Sequence, residues 1–495
     1  MTVVWRGQGT GQERARIKPL ALAIVCLLAG CSDLSRFRDV AAPSAPKPAT
    51  VTVAATAQSP TIEREHERIL ATYGGIYEDA RLEAAVSKTV RRLVAASERP
   101  DLAYKVTILN SSSINAFALP TGQLYVTRGL LALANDNAEL ASVLAHEMAH
   151  VIARHAIIRE NHARQAALVT RVVNDMGNDP DLGALALAKT KITMASFSRA
   201  QEFEADGIGV GISARAGYDP FGAVRFLNSM ERNSHLRVRG ADLRSAEFLS
   251  SHPATPERVG NARANARQFS LPSAGERDRA SYLEALDGII YGEDPSEGFV
   301  RGRRFIHPRM GFAFTAPEQY VLENTAQAVI GVRENGLGAM RVDVVRVQAE
   351  QSLIDYLNSG WMENVDKGSV EAVTINGFSG ATATASGDQW HFRIYVLRFG
   401  SDVYRFIFAA KQKTAESEKA ARDAVATFRR LTLAEIKSAR PLHLKIVTVK
   451  SGDTVESLAQ RMAGTDRQME RFRILNGLEA HEALKAGEKV KLVAD

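Results

Sequence analysis

Apolar and polar positions recur with different periods along this chain, and the changes of period mark its units. Ala138, Leu140, Ala141, Val143, Leu144 and Ala145 follow one another without Pro or Gly, a run suited to a buried helix. Asp136, with Glu139 three residues on, supplies the starting signal, because such a pair satisfies the orphan N–H groups of a first turn. Ser198 and Gln201 give the same signal for a second helix, which can run to Ala216-Gly217 ahead of Tyr218-Asp219-Pro220. Tyr104–Leu109 and Gln123–Thr127 alternate like strands, with Pro120-Thr121-Gly122 as the turn between them. Residues 156–197 hold two Ala-rich pieces around Met176-Gly177-Asn178-Asp179-Pro180, which reads as a helical hairpin or as a lid.

Downstream the pattern turns to strands. Phe312–Thr315, Ala328–Val332, Met340–Val347, Ala372–Ile375, Trp390–Phe399 and Val403–Ala410 are rich in β-branched and aromatic residues, with Asn376-Gly377 and Gly387-Asp388 as turns. Ala421, Ala424, Val425, Phe428 and Leu431 then give one apolar helical face. No metal or nucleophile constellation occurs in this stretch, and His307 reads as structural.

The amino terminus has a third pattern. Arg6, Arg14, Arg16 and Lys18 against Glu13 precede the apolar run Leu20–Gly30, which ends in Leu28-Ala29-Gly30-Cys31. This is a secretory signal with a lipidation site, too short to span a bilayer as an ordinary helix. Cys31 is then the lipidated first residue, and Ser32 after it favours sorting to the outer membrane. The other cysteine, Cys26, falls in the removed segment, so the mature chain has no disulfide and relies on its cores. Half of the formal charge of +6 belongs to the signal, and what remains implies no nucleic-acid role. The Ala/Pro/Ser/Thr-rich run Ala41–Pro60 reads as a flexible tether.

The chemistry lies in His146-Glu147-Met148-Ala149-His150. Two histidines four apart on a helix share a face and can reach one metal ion, with the intervening glutamate beside it as general base. A third ligand is needed. The metzincin continuation fails, since Ala153 and Ala156 stand where Gly and His are required. His155 is five residues past His150, so on a continuous helix it points away from the metal and reads as a partly exposed histidine. The second helix offers Glu202 as a ligand and Asp206, four on and so on the same face, to accept the N–H of a ligand histidine. Glu204 faces elsewhere and reads as solvated.

These motifs, with Asn115-Ala116-Phe117-Ala118-Leu119-Pro120 before them, resemble the gluzincin metalloendopeptidases that include HtpX, the CAAX prenyl proteases and the periplasmic BepA-like enzymes. Thr121 departs from the glycine common there. The resemblance implies one Zn²⁺ held by His146, His150 and Glu202, with Glu147 as base. It implies an edge strand at Asn115, Ala116, Phe117 and Ala118 to which an extended substrate adds. It implies that His252, in Ser251-His252-Pro253, is an inhibitory fourth ligand, and it makes Arg258 a candidate partner for the oxyanion. The segment Tyr282–Gly298 resembles one that follows the peptidase in some BepA-like lipoproteins. Residues His443–Val493 resemble a LysM module, which implies binding to peptidoglycan, although an aromatic platform for sugar stacking is missing.

The resulting expectation is a multidomain α+β protein with a mainly helical metallopeptidase unit carrying a small edge sheet. Its parts are a signal (1–30), a tether (31–60), the peptidase (61–271), a joint (272–298), an α+β domain of unassigned role (299–436) and a βααβ LysM-like unit (443–495). The expected function is zinc-dependent cleavage of misfolded or unassembled envelope proteins, by an enzyme lipid-anchored in the periplasm to the inner leaflet of the outer membrane. Expected partners are those substrates, the outer-membrane assembly machinery and peptidoglycan. Two other readings stay open: a non-catalytic cell-wall-binding or assembly lipoprotein, and a hydrolase of peptidoglycan cross-links.

Overall fold

A computed structural model describes residues 60–159, 197–238, 252, 255–269, 271, 274–333, 336–387, 389–464 and 467–495. The signal, Cys31, the tether and most of the 156–197 hairpin lie outside the described residues. Among the described residues no helix is long and apolar enough to cross a membrane.

The N-terminal unit is built on helices α1 (Pro60–Thr72), α2 (Ala80–Ala96), α3 (Arg128–Leu133), α4 (Asn137–Ile152), α5 (Arg199–Arg215), α6 (Gly222–Val238) and α7 (Pro256–Phe269). Helix α4 is buried from Asn137 to His150, and Asp136 caps it by accepting the Glu139 N–H. Helix α5 starts with the expected reciprocal box of Ser198 and Gln201. Its Gly209 lies against α4: a Cβ there would come within 2.9 Å of the His146 backbone nitrogen. The absent side chain lets the two helices approach closely enough for their functional residues to meet.

The small sheet contains β1 (Lys105–Leu109), β2 (Ala116–Ala118) and β3 (Gln123–Thr127), in the order β1-β3-β2. Here the expectation of a β1–β3 hairpin is corrected. Strands β1 and β3 run parallel, and the turn at Pro120–Gly122 joins β2 to β3 instead. Strand β3 is central and buried along its whole length, so it needs no alternation. Strand β2 forms the edge, as the sequence suggested.

The expected joint is also corrected. Residues 279–286 form helix α8 (Arg279–Leu286), and Tyr282 is fully buried with its hydroxyl donating to the Leu131 carbonyl at 2.7 Å. Strand β4 (Ile290–Tyr291) then pairs with a strand of the C-terminal unit. That unit is βααβ as expected, with Leu442–Thr448 and Lys489–Ala494 as antiparallel strands and Val455–Ala459 and Gln468–Asn476 as helices. Its Leu444, Val455, Leu458, Phe472 and Leu492 belong to the same buried cluster as Leu130, Leu140 and Leu144 of the N-terminal unit. Lys491 is fully buried and donates to the carbonyls of Ala132 (2.8 Å), Leu133 (3.3 Å) and Ala134 (2.8 Å). An ammonium at the C-terminal end of α3 satisfies orphan carbonyls and complements the helix dipole. One residue further, Asn135 leads into the cap of α4, so the C-terminal unit grips the start of the metal-site helix.

Residues 299–430 contribute two further sheets. The larger has seven antiparallel strands, in spatial order 371–375, 378–386, 391–399, 402–410, 338–346, 329–333 and 320–324. Both faces are covered: Tyr395 and Leu397 join one core with Phe428 from beyond the helix Ala415–Ala426, while Ile394 and Val396 join another with Leu353 and Leu357. The turn at Asn376 (φ 50°) and Gly377 (φ 81°) has both residues left-handed, as a two-residue hairpin requires. Strand Phe378–Ser386, rich in Ala, Ser and Gly, was not foreseen. His307 is buried, with its Nδ1 accepting from the Met310 N–H at 3.3 Å, and burial pulls its pKa down to about 4.

Candidate metal centre

Four buried side chains from three parts of the chain bring donor atoms within 4.8 Å of one another: His146, His150, Glu202 and His252. The Nε2 atoms of His146 and His150 are 3.1 Å apart. Glu202 sets one carboxylate oxygen 3.5 Å from each. His252 brings Nδ1 to 3.3 Å from His146 Nε2 and 2.8 Å from Glu202 Oε1. A tetrahedron with metal–donor bonds of about 2.05 Å has edges of about 3.3 Å. The five separations above, taken over both Glu202 oxygens, run from 2.8 to 3.5 Å, so two imidazoles and a carboxylate with a third imidazole beside them are compact enough to hold one divalent cation.

The surroundings fix these donors. His146 turns Nδ1 to Asp206 Oδ1 at 3.0 Å, the contact expected from the Glu202–Asp206 spacing. Arg258 clamps Asp206 through Nε (2.8 Å) and Nη2 (2.7 Å) and reaches Glu202 Oε2 through Nη1 (2.8 Å). The expectation that Arg258 faces an oxyanion is therefore corrected: its guanidinium is spent on the two carboxylates, and it holds the ligand glutamate in place. Glu147 is buried, and its Oε1 has no hydrogen-bond partner among the described residues. His252 Nε2 lies 3.8 Å from that oxygen.

Electrostatics follow the contacts. Burial works against a charged His146, but the Asp206 and Glu202 carboxylates lift its pKa to about 9. Burial, with His146 and His252 close by, drives His150 below its ordinary value. Burial raises the Glu147 carboxyl. For Glu202 burial is outweighed by hydrogen bonds from His146 and His252, which hold it below the carboxylate range.

His155 needs the largest correction. It is 1% exposed, and its Nδ1 lies 2.9 Å from His150 Nδ1. Helix α4 stops at Ile152, and Arg154 adopts φ 56°, a left-handed conformation costing a non-glycine residue about 1–2 kcal/mol. The chain turns back there, so helical phase past Ala153 no longer predicts where a side chain points. Glu204 is exposed, yet its Oε2 meets His155 Nε2 at 3.2 Å. Phe197, also unforeseen, stacks on His150 with ring centroids 4.0 Å apart. Ala116, Phe117 and Ala118 form strand β2 with Asn115 just before it; Asn115 and Ala116 are buried and Phe117 and Ala118 half-buried, where the resemblance implied an edge. Asn115 Nδ2 donates to the Tyr73 hydroxyl at 2.9 Å. Ser251 and Pro253 lie outside the described residues.

A histidine pair on one buried helix and a glutamate from a second helix converge, with a buried carboxylate between the histidines. Comparison with known proteins finds that residues 80–266 are similar to Peptidase family M48 and residues 447–493 to the LysM domain. It is 32% identical over 217 residues to the beta-barrel assembly-enhancing protease of Yersinia pestis, covering 41% of this chain and 43% of that protein. It is 32% identical over 189 residues to the protein of that name from Escherichia coli, covering 36% and 37%. The mitochondrial metalloendopeptidase OMA1 of Schizosaccharomyces pombe is 30% identical over 175 residues, covering 35% and 50%. The chain thus spans half or less of the length of these relatives.

Proposed function

We propose that this chain is a zinc-dependent metalloendopeptidase of the bacterial cell envelope, acting on misfolded or unassembled envelope proteins. The observation that carries the reading is the compact set of His146, His150, Glu202 and His252 donors, all within 4.8 Å of one another, beside the buried Glu147. A zinc ion bound there supplies a Lewis acid that acidifies water and polarises a carbonyl. His146 and His150 would give neutral Nε2 donors, with Asp206 accepting the Nδ1–H of His146. Glu147 accepts a proton from the attacking water and returns it to the leaving amine, a task favoured by a carboxyl whose pKa is raised. The free side of β2 offers main-chain groups to an extended substrate, which adds as a further strand along Asn115–Ala118.

The contacts of His252 Nδ1 to Glu202 (2.8 Å) and His146 (3.3 Å) support its reading as a fourth ligand that would exclude a substrate carbonyl or water and hold the enzyme latent. Release of His252 then opens the centre. Lipidation at Cys31 would tether the enzyme in the periplasm, at the inner leaflet of the outer membrane, near the assembly machinery for outer-membrane proteins. The LysM domain supports contact with peptidoglycan as a further partner.

The test is proteolysis of unfolded casein with and without a chelator, alongside metal analysis. Chelator-sensitive cleavage is expected, with Glu147→Gln keeping its zinc and losing turnover by at least about 10²-fold. Chelator-insensitive cleavage, or full activity in Glu147→Gln, would remove the assignment. A protein that holds zinc but cuts nothing in any variant would favour the non-catalytic lipoprotein. Release of muropeptides rather than casein fragments would favour the cross-link hydrolase.

A further inference from the structure

The two ligand histidines are held from behind by different means. His146 meets a buried carboxylate, Asp206, which Arg258 neutralises. His150 instead meets a buried imidazole, that of His155, at 2.9 Å, and His155 meets the exposed carboxylate of Glu204 at 3.2 Å.

Proton positions along this second chain follow from the geometry. Nε2 of His150 faces the other donors, 3.1 Å from His146 Nε2, so when it binds a metal its hydrogen must sit on Nδ1. That hydrogen can be donated only if His155 Nδ1 accepts. His155 must then carry its own hydrogen on Nε2, the atom facing Glu204 Oε2. A carboxylate there accepts it. Each group has one permitted role, and a single exposed acid sets the order. We propose that His155 and Glu204 are positioning residues for the metal centre: a carboxylate–imidazole relay that fixes the tautomer and orientation of His150.

A second observation points the same way. The turn that brings His155 back under His150 places Arg154 at φ 56°, where an L-residue is strained. A histidine with a purely solvated role would not require it. Phe197 closes the free face of the His150 ring by stacking at 4.0 Å, so the in-plane contact with His155 is what sets the ring's rotation.

The inference rests on the zinc reading above, and its test separates the two. Zinc affinity is measured by chelator competition on the full chain, and the melting temperature is recorded without metal. His155→Leu is expected to weaken zinc binding by about 10- to 100-fold. His155→Asn, whose amide oxygen can stand near Nδ1 as an acceptor, is expected to restore most of that loss. Glu204→Ala, on the exposed side, is expected to weaken binding in the same direction with an unchanged metal-free melting temperature. Affinity as in the wild type for both His155→Leu and Glu204→Ala overturns the relay, as does an Asn variant no better than Leu. If His155→Leu fails to fold, Glu204→Ala decides alone. A wild-type chain that binds no zinc overturns the functional reading itself.

Discussion

Lys491→Met tests how far the C-terminal unit supports the metal-site helix. Methionine keeps the length and flexibility of the side chain but donates nothing. The substitution leaves the carbonyls of Ala132, Leu133 and Ala134 without the donor that now lies 2.8, 3.3 and 2.8 Å away. Hydrogen bonds from a charged group are worth about 1.5–3 kcal/mol each, and a stranded buried carbonyl costs about 1–3 kcal/mol. Against this, the variant no longer has to desolvate an ammonium, a term of several kcal/mol. The balance is a loss of about 2–4 kcal/mol, and at about 2 °C per kcal/mol in a large unit the melting point should fall by about 4–8 °C. Burial holds the Lys491 pKa well below 10.5, helped by the nearby Arg279 charge. The unfolded chain therefore binds the proton more readily, so this group's contribution to stability is complete above 10.5 and is lost as pH falls through the depressed folded value. Circular dichroism melts and urea titrations of wild type and variant, from neutral to alkaline pH, measure both effects. A variant within about 0.5 kcal/mol of wild type, with the same alkaline pH slope, would show that the three contacts carry no net stability.

Other outcomes follow from the same geometry. His252→Ala should raise initial cleavage rates on unfolded casein, because the imidazole that supplies the fourth donor is gone while His146, His150 and Glu202 remain; unchanged or lower rates with zinc retained would remove the latency argument. Arg258→Met should destabilise the metal-free protein by about 3–5 kcal/mol, since the buried Asp206 and Glu202 lose the guanidinium that neutralises them and keep only imidazole contacts; urea titration reads this, and a neutral result would contradict the clamp. His307 is held neutral with its pKa near 4, so its stabilising contribution is present above about 6.5 and is lost as pH falls toward 4; His307→Phe should show a flatter acid limb in stability measurements, and an unaltered limb would exclude the effect.

The convergence of His146, His150 and Glu202 was legible because it depends on local geometry. The i, i+4 spacing of His146 and His150 survives any tertiary arrangement of a helix, and the Ser198–Gln201 box announced the helix bearing Glu202 and Asp206. His155 was misread because one left-handed residue, Arg154, cancels helical phase, and an arginine gives no warning of it. The role of Arg258 depended on two carboxylates more than fifty residues upstream. In the β-rich part, strands with β-branched residues stood out, whereas Phe378–Ser386 is made a strand by its neighbours rather than by its own composition. The parallel pairing of Lys105–Leu109 with Gln123–Thr127 carried no signal either, since a parallel partner is set by how the chain crosses over.

The contact between Lys491 and Ala132 spans 359 positions of sequence. Synthesis is vectorial, and earlier segments emerge and begin to fold before later ones exist. A nascent polypeptide that already holds His146, His150 and Glu202 therefore still lacks the strand that clasps the helix leading into that cluster. Full consolidation is deferred until the distal portion has been made, which leaves an interval of immaturity during biogenesis.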